Sequence, residues 1–192
     1  MDLNDKYWTD RYQNQQTAWD VGYASTPIKE YIDQLTNKDL RILIPGCGNA
    51  YEAEYLLKKG FMHLTLIDIS EVKAADLAVH FEKHKSVKVL HGDFFDHVGV
   101  YDLIIEQTFF CALDPALRSS YVRKMHSLLA DGGKLAGVLF DRDFEGGPPF
   151  GGSRDQYLKL FSEFFHIRTM TSCYNSIPQR QGTEVFFIAE KR

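Results

Sequence analysis

The sequence predicts an α/β protein built on a doubly wound, mostly parallel sheet with helices on both faces. Three observations carry that reading. Short, almost wholly apolar runs alternate with segments of helical period through the middle of the chain, the pattern left by strands buried on both sides. A glycine turn follows the first of these runs directly. The last two runs, Ile167 to Cys173 and Glu184 to Ala189, are separated by a polar loop with Pro178 and Gly182. That gap of about ten residues holds no crossover helix, so the two must pair antiparallel.

In chain order, Leu40 to Ile44 reads as a strand, Tyr51 to Lys59 as a helix and Leu64 to Ile69 as a second strand. Ser70 is placed to cap a helix with Val72, Ala75 and Val79 on one face, and Val87 to Leu90 and Tyr101 to Ile105 follow as strands. Asp114 and Pro115 supply a cap and first turn for a helix whose stripe is Leu117, Tyr121, Met125, Leu128 and Leu129, with Gly132-Gly133 expected to end it. A fifth strand is expected from about Lys134 to Phe140. After the Gly/Pro-rich stretch Gly146 to Gly152, Ser153 and Gln156 form a capping box for a helix burying Tyr157, Phe161 and Phe165.

Composition narrows the function. The chain has 192 residues, 44% hydrophobic and 25% charged, which fits one globular domain and excludes a disordered or collagen-like chain. A net charge of -4 without a basic stripe argues against nucleic acid as a partner. Cys47, Cys111 and Cys173 form no CxxC pair and are odd in number, so neither a disulfide framework nor a cysteine zinc site is supported. A cytoplasmic protein is the expectation, since no leader pattern or membrane-length apolar run is legible. No histidine spacing suits a metal, no nucleophile elbow is present, and His91 and His166 read as structural residues.

The chemistry concentrates after the strands. Gly46 and Gly48 in Ile44-Pro45-Gly46-Cys47-Gly48-Asn49-Ala50 let backbone approach a ligand closely, although Ala50 replaces a third glycine. The second strand ends at Asp68, and 68 − 46 = 22 residues is the spacing at which a carboxylate reaches the hydroxyls of an adenosine ribose. An aspartate there could instead cap the next helix, but Ser70 already offers that cap. In Gly92-Asp93-Phe94-Phe95 the carboxylate of Asp93 suits an adenine amino group and Phe94 its ring face, or the two phenylalanines belong to the core.

Five segments in order, Ile42 to Gly48, Asp68-Ile69-Ser70, Gly92-Asp93-Phe94-Phe95, Phe109-Phe110-Cys111-Ala112 and Gly147-Pro148-Pro149-Phe150, resemble the thiopurine S-methyltransferase superfamily, especially its halide/thiol methyltransferase branch. The similarity runs from about Trp8 to Gly182. It implies a class I S-adenosylmethionine-dependent methyltransferase: a single Rossmann-like domain over residues 1–192, with a seven-stranded sheet whose last strand is antiparallel. It also implies that Gly46 and Gly48 form the methionine-side turn, Asp68 holds the ribose, Asp93 and Phe94 contact adenine, and Gln107 sits at a cofactor position.

Trp8, Tyr12 and Trp19, within residues 1–25, resemble the family's aromatic lid, with Tyr12 where the family usually has Trp. Arg118 and Arg180 fall where the thiopurine branch places arginines near the substrate or cofactor carboxylate, which makes them the catalytic candidates. Gly146 to Phe150, with Pro148 and Phe150, would wall the acceptor pocket. The implied reaction is in-line methyl transfer to a small soft nucleophile (thiol, bisulfide, thiopurine or halide) by a monomer, without metal or general base. Two other readings stand beside it, a non-catalytic adenosyl-ligand module and an NAD-dependent oxidoreductase, since the glycine turn and Asp68 would also suit NAD.

Overall fold

The computed structural model describes residues 2–192. Seven strands form one sheet: β1 (Arg41–Pro45), β2 (His63–Asp68), β3 (Val87–His91), β4 (Tyr101–Gln107), β5 (Leu129–Phe140), β6 (Phe165–Ser172) and β7 (Glu184–Lys191). Their order is β3-β2-β1-β4-β5-β7-β6. β7 runs antiparallel to both neighbours, from Lys134↔Glu190 to Phe140↔Glu184 on one side and against β6 on the other. The other pairs are parallel. The expected antiparallel last strand is therefore present, inserted between β5 and β6.

Six helices accompany the sheet: α1 (Asp5–Gln13), α2 (Thr26–Asp33), α3 (Tyr51–Lys58), α4 (Glu71–His80), α5 (Arg118–Leu128) and α6 (Arg154–Phe161). The strands alternate between two buried faces. Ile42, Ile44, Leu64, Leu66, Leu103 and Ile105 pack with Ile28, Leu56 and Leu77 of α2, α3 and α4. Leu43, Ile67, Ile104 and Leu139 pack on the other side with Tyr121 and Met125 of α5 and Phe161 of α6. Apolar residues at both phases of the two-residue repeat produce the continuous apolar runs seen in the sequence.

Capping follows the sequence closely. The Ser70 hydroxyl accepts from Lys73 N–H at 3.3 Å, and Ser153 and Gln156 complete their capping box. Four details differ from expectation. The buried face of α4 is Ala74 and Leu77, while Val79 is 70% exposed, because α4 meets the sheet one position away from its apparent stripe. α5 ends at Leu128 and Leu129 already opens β5, since pairing of Tyr101 with Leu129 captures the chain before Gly132-Gly133 can terminate a helix. Phe165 begins β6 rather than closing α6. Asp114 and Pro115 start a 3-10 turn, Pro115–Leu117, ahead of α5, and Leu117 is exposed. α2 was not legible as a helix, although Pro27 occupies its first turn.

Candidate active site

The carboxyl ends of β1, β2 and β4 meet where strand order reverses between β1 and β4, the crevice in which open α/β sheets bind ligands. After β1 the chain turns at Gly46 (φ +55°), Gly48 (φ +53°) and Ala50 (φ +55°), three alternate residues in the left-handed region. Only the glycines take that conformation without steric cost. Gly46 N–H donates to Ile67 O at 2.8 Å, tying the turn to the end of β2.

Asp68, 6% exposed, accepts from Gly48 N–H at 3.1 Å and from Ser70 N–H at 2.9 Å. Burial raises its pKa, and the two N–H groups oppose that rise without cancelling it. Asp68 thus ties the glycine turn and caps the approach to α4, the structural one of its two readings.

The N-terminal segment lies over this turn. α1 is only half-buried, and it docks on the start of α4, where Asp5 accepts from Glu71 N–H (2.9 Å) and the Thr9 and Ser70 hydroxyls bond at 2.8 Å. Trp19 packs edge-on against Trp8 (5.6 Å) and Tyr12 (5.9 Å). Lys73 Nζ lies 4.8 Å from the Tyr12 ring centroid and donates to Asn49 Oδ1 at 2.7 Å; Asn49 in turn donates to Asp20. Tyr12 is buried enough that its phenol pKa is pushed far up, with Asp68 adding to the effect.

The remaining candidates divide. Asp93 is exposed and accepts from Phe95 N–H at 2.8 Å. The Phe94 ring, 4% exposed, packs among Phe95, Phe109 and Tyr121, so the ring-face contact expected of it is taken by the core. Gln107 Oε1 accepts from the Ser25 hydroxyl at 2.6 Å, and Ser25 N–H donates to Glu52 at 3.0 Å. Arg180 donates to Trp19 O at 2.8 Å, lies 5.3 Å from the Phe140 ring centroid and pairs with buried Glu184 at 3.5 Å. It thereby ties the N-terminal segment to the sheet.

Arg118 donates to Gly151 O at 2.6 Å and stacks 4.9 Å from the Phe110 ring centroid, with its Nε buried and unpartnered. Phe150 N–H donates to Cys111 O at 2.6 Å, which lays the half-buried Pro148 and Phe150 loop against the Phe110–Ala112 turn. His91 accepts a structural role, its Nε2 lying 3.1 Å from Ile69 O. A shallow cleft of about 290 Å³ lined by Arg41, His63, Lys88 and Tyr101 lies at the amino ends of β1 to β4, the opposite end of the sheet from these residues.

Sequence reasoning passed over Ser25, Glu52 and Glu106. The last two are acidic residues buried among apolar neighbours, at 6% and 0% exposure, and Glu106 interrupts the otherwise apolar run Leu103-Ile104-Ile105. An acid inside such a strand was the available signal.

This arrangement, a glycine turn, an acid ending β2 and an antiparallel β7 within an otherwise parallel sheet, is the Rossmann-like fold shared by S-adenosylmethionine-dependent methyltransferases. A crystal structure of Burkholderia thailandensis 1,6-didemethyltoxoflavin-N1-methyltransferase, with 1,6-didemethyltoxoflavin and S-adenosylhomocysteine bound, shares the fold at TM-score 0.78 and 16% identity, over 97% of this chain and 86% of that one. The chain belongs to the thiopurine S-methyltransferase family, whose model matches residues 3–191. It is 30% identical over 159 residues to probable thiol methyltransferase 2 of Arabidopsis thaliana, covering 80% of this chain and 70% of the relative. It is 22% identical to thiopurine S-methyltransferase of Acinetobacter baylyi, covering 94% of each.

Proposed function

We propose that the protein transfers a methyl group to a small soft nucleophile such as a thiol, bisulfide, a thiopurine or a halide. The observation that carries this reading is the packing of Trp8, Tyr12 and Trp19 over the glycine turn beside Asp68, in a fold whose buried acids are already engaged by donors. Asp68, Glu52, Glu106 and Glu184 each accept from named N–H or side-chain groups, leaving none poised as a base. An acceptor that is already anionic or highly polarisable needs none.

The residues fit S-adenosylmethionine. Asp68 offers a carboxylate for the ribose hydroxyls, Asp93 an exposed one after β3, and Gly46 and Gly48 a close backbone approach. Tyr12 and Phe109 stand against those glycines, where their rings would flank such a ligand. When bound, S-adenosylmethionine would supply an electrophilic methyl on a sulfonium, with its thioether as the leaving group. The chain's part is alignment and exclusion of water. Trp8, Tyr12 and Trp19 close over the cationic sulfur, Gln107 lines the cofactor side, and Pro148 and Phe150 wall the acceptor side. Arg118 and Arg180 hold the wall and the lid in place and bring positive charge toward an anionic acceptor.

In this reading residues 1–192 are one domain with 1–25 as its lid; Met1 lies outside the described residues. It acts as a cytoplasmic monomer on a small molecule rather than on nucleic acid, consistent with the net charge of -4 and three unbridged cysteines. No helix among the described residues is long and apolar enough to cross a membrane. The test is calorimetric titration of S-adenosylmethionine and of NADH into wild type and Asp68→Ala, followed by an acceptor screen that detects S-adenosylhomocysteine. Binding of the first ligand alone, weakened about tenfold or more in the variant, corresponds to losing about 1.4 kcal/mol and supports the site. Binding of NADH instead, or no turnover of any thiol, thiocyanate or halide, refutes it.

A further inference from the structure

The end of β4 holds a buried acid that the reaction as described does not use. Glu106 is 0% exposed, and three donors converge on its carboxylate: Phe109 N–H at 2.6 Å, Phe110 N–H at 3.1 Å and the Tyr121 hydroxyl at 2.5 Å. Gly137, its register partner on β5, leaves the space its stem occupies, because a Cβ there would collide with Glu106. Between the carboxylate and these N–H groups lies Thr108 at φ +59°, a left-handed conformation that a β-branched residue adopts only under constraint.

The turn held in this way touches both halves of the site. The Phe109 ring fills the space beside Gly46, Phe110 lies under Arg118, and Cys111 O receives Phe150 N–H from the acceptor wall. We propose that Glu106 is a positioning residue for methyl transfer, whose carboxylate clamps the Gln107–Cys111 turn in the conformation that joins the cofactor-side glycine turn to the acceptor-side loop. This rests on the methyl-transfer reading of the site.

The clamp depends on ionisation. A carboxylate accepts from all three donors at once; a carboxylic acid can place its O–H only on the Tyr121 oxygen, so protonation reverses that bond and leaves the two N–H groups facing a neutral, weaker acceptor. The titratable groups facing it are Tyr121 from α5 and Cys111 from the turn itself, both kept neutral by burial, and Arg118 acts on Cys111 while donating to Gly151. Burial raises the Glu106 pKa to about 7, with Tyr121 and the two N–H groups holding it down. The clamp therefore tightens as pH rises through neutrality.

The experiment follows the Phe109 and Phe110 amide resonances of wild type, Glu106→Gln and Tyr121→Phe from about pH 5.5 to 8.5. In parallel it measures S-adenosylmethionine binding and kcat for thiocyanate and iodide, acceptors whose charge is constant over that range. In wild type the two amides titrate together near neutral pH and kcat rises with the same midpoint. Tyr121→Phe removes a donor to the carboxylate and moves the midpoint upward. Glu106→Gln abolishes the titration and lowers kcat about tenfold or more, with cofactor affinity changed less than about threefold.

Amides that do not titrate, a titration that survives in Glu106→Gln, or an unchanged kcat in that variant would overturn the clamp. If Glu106→Gln does not fold, the direction of the Tyr121→Phe shift decides. If wild type methylates no acceptor, the functional reading falls while the amide titration still decides the clamp.

Discussion

Gly46 and Gly48 share a left-handed backbone but not a neighbourhood, and that difference gives a quantitative test of the site's packing. Replacing either by Ala costs about 1–2 kcal/mol in backbone strain, since φ is +55° at one and +53° at the other. At Gly48 the new Cβ would lie 3.4 Å from the Tyr12 hydroxyl, an ordinary contact. At Gly46 it would run into the Phe109 ring, which Phe94 and Tyr121 back from the core side. Overpacking against a supported ring adds about 1–3 kcal/mol.

Gly46→Ala should therefore unfold roughly 2–12 °C below Gly48→Ala, at about 2–4 °C per kcal/mol for a chain of this length. Thermal unfolding followed by fluorescence measures the temperature difference, and equilibrium unfolding in urea the free energy behind it. Adding Phe109→Ala to Gly46→Ala should recover most of the difference as a coupling term. Equal denaturant midpoints for the two glycine variants, or no coupling to Phe109, would refute the assignment of Phe109 as the residue that occupies the Gly46 space.

Two further outcomes follow from the buried acids and thiols. Because the Glu106 pKa is raised to about 7 in the fold, the native state binds more protons than the unfolded chain between about pH 4.5 and 7. Its contribution falls as pH rises through that window, by up to about 3 kcal/mol. His97 and His126, whose pKa values burial lowers, act in the opposite direction, so the quantity to measure is the difference in slope between wild type and Glu106→Gln in urea unfolding at about pH 5 and 8. Parallel slopes would show that Glu106 is not the titrating group. Cys111, buried and pushed up to about 12, and Cys47, also raised by burial, should resist Ellman's reagent in the native protein at pH ~8 and react once unfolded. Fast labelling of either in native protein would contradict their burial.

Much of the architecture is local in origin and was legible for that reason. Two-sided apolar strands, the Ser70 cap and the Ser153/Gln156 box depend on residues within a few positions of each other. The 22-residue spacing of Gly46 and Asp68 is likewise fixed by one βαβ unit, and the structure brings the two strand ends together through Gly48 N–H. Helix limits were less secure wherever a strand competed for the same residues. Leu129 continues the apolar stripe of α5, yet it pairs with Tyr101 and so belongs to β5.

Chain connectivity and periodicity specify the order of elements, the glycine turn, the acid after β2 and the antiparallel end of the sheet directly, so these can be read from the residues. Which side chains those elements share is settled by packing. Phe94 is committed to the core, Arg180 reaches Trp19 across 161 residues, Ser25 meets Gln107 across 82, and Glu106 collects donors from a turn and from α5. Such contacts join residues distant in the chain, and no local propensity encodes them; they arise when burial leaves a charged or polar group no partner except the ones the packing supplies.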